Sequence, residues 1–186
     1  MRLPRFIVCL CFILSCALVG CDSKADNEDS ARSRVSDTYL AEIGVREKTG
    51  KNDGPRVEGY LRSVGLESGA PYCAAYIHWC FSQNGIDSPK SGYSPDWFKT
   101  NVIYRRNKVE IVSFPQASVF GIWFESKKRV AHVGFVHKDK GKEVETCEGN
   151  TNDALSRDGD GVYKKIRLKS QIYIVSDWVT NNYISK

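Results

Sequence analysis

Residues 71–85 read Pro71-Tyr72-Cys73-Ala74-Ala75-Tyr76-Ile77-His78-Trp79-Cys80-Phe81-Ser82-Gln83-Asn84-Gly85. How this stretch starts and stops decides the fold. Proline cannot continue a helix from behind it, so Pro71 sets a boundary, and Gly85 supplies a C-terminal stop. Between them the pattern predicts a helix from Cys73 to Asn84, with Cys73 in its first turn. The unpaired amides and positive dipole end at that spot favour a thiolate. A cysteine so placed is a candidate nucleophile, whereas a cysteine packed in a core is simply a small buried residue.

Upstream the pattern stays helical. Ser36 or Asp37 can cap a helix carrying Tyr39, Leu40 and Ile43. Asp53 can cap another, with Pro55 in its first turn and Val57, Tyr60, Leu61 and Val64 at i, i+3, i+4 and i+7 before Gly65. Ser94-Pro95-Asp96 opens a short helix holding Trp97 and Phe98. After residue 115 the signal changes to strands: 118–124, then 131–137 and 143–148 flanking a glycine-containing hairpin loop at 138–142, then 161–169 and 171–179. Helices first and an antiparallel sheet second predict an α+β domain, with N-terminal helices packed on the sheet.

The N-terminus reads as a leader. Arg2 and Arg5 precede an apolar run from Phe6 to Val19, whose ~14 residues suit a signal peptide better than a membrane span of ~20. The run ends in Leu18-Val19-Gly20-Cys21 and turns polar at once, a pattern that resembles the lipobox of bacterial lipoproteins. The resemblance implies removal of residues 1–20 and a lipid on Cys21. It also implies a bacterial cell-envelope location, periplasm-facing or extracellular, with the membrane as a partner. Residues 21–36, polar and without an aromatic side chain, read as a flexible tether reaching at most ~55 Å. The domain is then 37–186.

Composition narrows the function. The 186 residues are 41% hydrophobic and 26% charged, as in a globular chain. Formal charge is +5, and without Arg2 and Arg5 it is 25 basic against 22 acidic residues, or +3. That charge is mild and evenly spread, so no nucleic-acid partner is expected. Of seven cysteines, Cys9, Cys11 and Cys16 leave with the leader and Cys21 takes the lipid. Cys73, Cys80 and Cys147 remain. An odd number in an exported domain implies a free thiol with a task or a buried position.

His132, in the apolar strand Ala131-His132-Val133-Gly134-Phe135-Val136, needs partners for both ring nitrogens. Alternation puts Val144, Thr146 and Glu148 on one strand face and Glu143, Glu145 and Cys147 on the other. The second set looks exposed, so Glu148 points inward, where a hairpin of this length sets it beside His132. Cysteine, histidine and a polar third group make an activated-thiol constellation. The thiolate attacks a carbonyl, the imidazole moves the proton, and the third group orients the ring.

These residues resemble the CHAP superfamily, the cysteine, histidine-dependent amidohydrolases/peptidases. The resemblance rests on Pro71 to Tyr76 with Trp79-Cys80, on Ala131 to Phe135, and on Glu148-Gly149-Asn150-Thr151. His132 follows Cys73 by 59 residues, and Glu148 follows His132 by 16. The resemblance spans about residues 37–180 and implies a papain-like fold. It implies Cys73 as nucleophile, His132 as base, and Glu148 and Asn150 as its support. It implies amide-bond hydrolysis in peptidoglycan or its peptide stems, without metal or cofactor. One departure stands out: where many members carry Gly-Asp before the first long strand, this chain has Ala117-Ser118. Two rival readings stand beside it, a non-catalytic papain-like module that binds wall or partner, and an amidase acting on a non-wall substrate.

Other residues read as structural. Cys80 lies two turns after Cys73 and packs in the core. Cys73-x6-Cys80 does not match zinc-ligand spacing. His78 points away from Cys73, and His137 reads as surface. Asp158-Gly159-Asp160-Gly161 reads as a turn before a strand rather than a calcium loop. Tyr93, Trp79, Trp97 and Phe98 either wall a groove or fill the core.

Overall fold

The structure, a computed structural model, describes residues 16–108, 113–152 and 159–184. Three helices come first: α1 (Cys16–Ala41), α2 (Pro55–Ser63) and α3 (Cys73–Ser82). A 3-10 turn at Ser94–Phe98 leads into the strands β1 (Val102–Arg105), β2 (Val119–Phe124), β3 (Arg129–Asp139), β4 (Glu143–Thr151), β5 (Gly161–Leu168) and β6 (Ile174–Ser176). A last helix, α4 (Trp178–Ile184), closes the described chain. The strands form one sheet in the order β1-β6-β2-β3-β4-β5, with every neighbouring pair antiparallel. This is the α+β, papain-like arrangement of helices on an antiparallel sheet.

Strand alternation sorts the sheet residues onto two faces. Val119, Val133, Phe135, Cys147 and Ile174 join the core shared with α1, α2 and α3, around Tyr39, Tyr60, Tyr76 and Phe81. Phe120, Val136, Val144 and Val175 form a smaller cluster with Phe114 and Ile172. Tyr39 stacks on Phe135 at 4.7 Å between ring centroids, and Tyr76 and Phe81 meet the same ring edge-on. Phe135 is therefore the point where sheet and helices lock.

The N-terminal segment departs from the expected tether. α1 is continuous from Cys16 to Ala41, and Ala31, Val35 and Tyr39 are wholly buried. These residues lie four apart, a stripe one side chain wide. So narrow a stripe leaves the composition polar, which is why the segment reads as a linker. Arg32 anchors it. Its guanidinium donates to Asp177 Oδ2, Thr180 Oγ1 and the Gln116 carbonyl, each at 2.6 Å, and to Glu28.

Smaller departures have local causes. Asp53 does not cap α2; its carboxylate accepts from Thr49 N and Oγ1, and Gly54 takes the cap position. The expected strand at 171–179 shortens to β6, because Asp177 accepts from the amides of Val179 and Thr180 and starts α4. β1 is too short to show a periodicity. His137 is half-buried and its Nδ1 lies 3.0 Å from the Tyr39 hydroxyl. Asp158 lies outside the described residues.

Candidate active site

The site opens where β3 and β4 part. Their pairing runs from Asp139↔Val144 to Phe135↔Cys147 and ends there, so residues 129–134 have only β2 as a strand neighbour. The start of α3 occupies the gap. Tyr72 is the N-cap residue and Cys73 the first helical residue, as the sequence predicted from Pro71. Its amide belongs to the set that has no intrahelical acceptor.

Cys73 is nearly buried, at 5% exposure. Its sulfur lies 3.7 Å from Ser94 Oγ, and it interacts with His132 and with the Val133 amide. Burial works against a thiolate, but His132, Ser94 and Val133 outweigh it and hold the Cys73 thiol below its ordinary value. His132 answers in kind. Burial disfavours the imidazolium, yet Cys73 and Glu148 raise its pKa to about 9. The two groups therefore stabilise each other as thiolate and imidazolium.

His132 Nε2 lies 2.8 Å from Glu148 Oε2, which leaves Nδ1 for the sulfur. Glu148 is wholly buried. Burial alone would raise its pKa, but Arg167 and His132 keep its carboxylate well below the usual range. Arg167 donates from Nε to Oε1 at 2.8 Å and from Nη2 to Oε2 at 2.6 Å, a two-pronged grip that fixes the carboxylate plane. Thr146 Oγ1 donates to Oε1 at 2.5 Å. Gly134 makes the room: a Cβ there would stand 2.8 Å from Glu148 Cγ and 2.7 Å from Phe120. The inward orientation of Glu148 agrees with the strand parity.

Two expectations change. Asn150 does not reach His132. It sits at φ 55, where the β4–β5 register shifts between Gly149 and Thr151, and its Nδ2 donates to Asn52 Oδ1 at 2.7 Å. The left-handed backbone turns its side chain toward the loop before α2, and Asn52 in turn donates to the Gly69 carbonyl at 3.2 Å. Cys147, placed by parity with two glutamates, is buried rather than outward. It faces α1 and α3, within 3.3 Å of the Tyr76 hydroxyl and 3.4 Å of the Tyr39 carbonyl. Burial pushes its thiol up to about 12 and that of Cys80 well above its ordinary value. Of the three thiols in the domain, only Cys73 is poised to ionise. Cys73, Cys80 and Cys147 are all free.

Sequence reasoning missed Ser94 and Arg167. Ser94 reads only as a helix opener. Arg167 sits in the run Tyr163-Lys164-Lys165-Ile166-Arg167, where nothing separates it from solvated lysines. The register Glu148↔Tyr163 and Val144↔Arg167 puts Arg167 in the row of Thr146 and Glu148. Only that pairing reveals its role. Among the described residues no cluster of histidine, cysteine, aspartate and glutamate could hold a metal.

Residues 65–150 match the family model of the CHAP domain. The chain contains a CHAP domain. The matched segment holds Cys73, Ser94, His132 and Glu148. No curated protein matches the chain. Among solved structures it is similar to the P60 domain of an antigen from M. avium paratuberculosis, at TM-score 0.50 and 14% identity, covering 83% of this chain and 97% of that one. The peptidoglycan hydrolase RipB from Mycobacterium tuberculosis gives TM-score 0.49 and 16% identity, over 82% of this chain and 66% of that one. At such identity the P60 likeness speaks for the fold alone.

Proposed function

We propose that this CHAP domain hydrolyses an amide bond of bacterial peptidoglycan, from a position in the cell envelope where a lipid on Cys21 anchors it. The observation that carries the chemistry is the unbroken chain from Cys73 through His132 to Glu148 and Arg167. The CHAP-domain match agrees with a wall substrate, and the leader pattern ending at Cys21 supports the location.

The steps follow from the geometry. The Cys73 thiolate attacks the amide carbonyl, a sulfur–carbon bond forms, and the carbonyl π pair moves to oxygen. The Cys73 amide, free at the helix start, receives that oxyanion. Collapse breaks the carbon–nitrogen bond while His132 gives its proton to the departing amine. Water then attacks the thioester, His132 takes the water proton, and the thiolate is released. Glu148 balances the imidazolium charge whenever His132 carries it. Ser94 Oγ, beside the sulfur, helps keep the thiolate solvated.

The test is digestion of purified sacculi by the full chain in detergent, with released fragments mapped by mass spectrometry. New amine and carboxyl ends are expected, and Cys73→Ala is expected to lose at least ~10³-fold in rate while unfolding at the same temperature. Wall binding without new ends would instead establish a binding module. Cleavage in Cys73→Ala equal to that of the natural chain would remove Cys73 from the mechanism.

A further inference from the structure

A second feature lies beside the same site and takes no part in those steps. Arg129 opens β3, and its guanidinium lies 4.9 Å above the Tyr93 ring. Tyr93 is half-exposed and directly precedes Ser94, whose hydroxyl touches the Cys73 sulfur. Arg129 stands three residues before His132 on one strand.

The register brings Arg129 and His132 into step. β2 and β3 pair as Ile122↔His132 and then Trp123↔Val130, so Ala131 is an extra residue on β3. Such a bulge resets side-chain alternation. Val130 and Val133 accordingly share the helix-side core, and the residues just before them, Arg129 and His132, share the opposite phase. Their partners on β2, Phe124 and Ile122, are two residues apart, so the pair stands ~7 Å apart along the strand.

The chemistry of the pair is that of an anion receptor. Arg56, Arg62, Arg32 and Arg167 all meet a carboxylate of this chain. Arg129 meets none among the described residues; its contacts are the Val130 carbonyl, 3.0 Å from Nη1, and the Tyr93 face. A stacked guanidinium keeps its N–H edge open for two parallel hydrogen bonds to a carboxylate. The platform beneath is held in advance. The Tyr93 amide donates to Ser91 Oγ at 3.0 Å, and Ser91 donates to Asp96 at 2.5 Å. Lys99 occupies the other oxygen of Asp96 at 2.7 Å, so that carboxylate is already engaged.

We propose that Arg129, stacked on Tyr93, is a substrate subsite that binds a free carboxylate close to the scissile amide. The inference rests on the hydrolase reading, and it selects wall stems with a free carboxylate over stems in which that group is amidated. It assigns Arg129 and Tyr93 to substrate choice rather than to bond making.

The probes are a peptidoglycan stem peptide with its glutamyl α-carboxylate free and the same peptide with that group as the amide. Binding to the full chain carrying Cys73→Ala is measured by calorimetry, and cleavage is measured with Cys73 intact. The free acid is expected to bind about 10- to 100-fold more tightly than the amide. Arg129→Met is expected to erase that ratio, Arg129→Lys to retain part of it, and Lys127→Met, an exposed cation nearby, to leave it unchanged. A ratio near one in the natural site, or a ratio that survives Arg129→Met, overturns the subsite. A carboxylate-dependent ratio without cleavage of either peptide would keep the subsite and overturn the hydrolase. Cleavage that ignores the carboxylate would do the reverse.

Discussion

At the scale of single residues, Glu148 controls the site through charge and through position, and two variants separate these. Replacing it by glutamine removes the negative charge that raises His132 and leaves Arg167 facing the ring. The imidazolium is then less stable, so the alkaline limb of the kcat/KM profile, expected near pH 9 from His132, should move to lower pH. The rate should fall by about 10²- to 10⁴-fold. Arg167→Lys keeps the cation but loses the fork that holds the carboxylate plane. Here the alkaline limb should stay in place while kcat falls. Stopped assays from pH 5 to pH 10 check both, and a limb that moves upward in Glu148→Gln would show that Glu148 does not support the imidazolium. The same pairing bears on stability. His132 has a raised folded pKa, so its contribution is complete below its ordinary value of ~6.5 and is lost as pH rises through about 9.

At the scale of elements, the legibility of the sequence followed the strength of local punctuation. Pro71 and Gly85 made α3 plain, and with it the place of Cys73. Hairpin parity put Glu148 beside His132 correctly. The same parity misled for Cys147, because β4 is covered on both faces and an alternating pattern assumes one wet face. The direction of Asn150 toward Asn52 is not legible, because a left-handed residue has no sequence signature beyond being asparagine. α1 was hidden by its narrow stripe, and its attachment is expected to be strong. Arg32→Met would remove the cation that faces the buried Asp177 carboxylate, at a cost of about 3–5 kcal/mol. Urea unfolding would read this as a lower midpoint with an unchanged slope. Restoring neutrality with Asp177→Asn in the same chain should recover part of the loss. A midpoint that does not move in Arg32→Met would return residues 21–36 to the role of a tether.

At the scale of the whole molecule, the packed α1 changes how far an anchored enzyme could reach. With a lipid on Cys21, as proposed, the first side chain held to the body among the described ones is Glu28, which accepts from Thr180 Oγ1 at 2.8 Å. Residues 22–27 are then the only chain between lipid and domain, an extended reach of at most ~20 Å, or ~9 Å as helix. That is far below the ~55 Å of a sixteen-residue tether. A catalytic domain on so short a leash meets only the wall strands nearest its membrane, with its cleft held in a restricted range of orientations. Inserting about ten glycine and serine residues between Ser23 and Lys24 adds roughly 15–20 Å of reach without touching the Arg32 cluster. The natural chain and the insertion should cleave soluble wall fragments equally. On intact wall in cells, the insertion should release more product. Equal release from intact wall would mean that reach does not limit the enzyme and that the close seat of α1 serves stability alone.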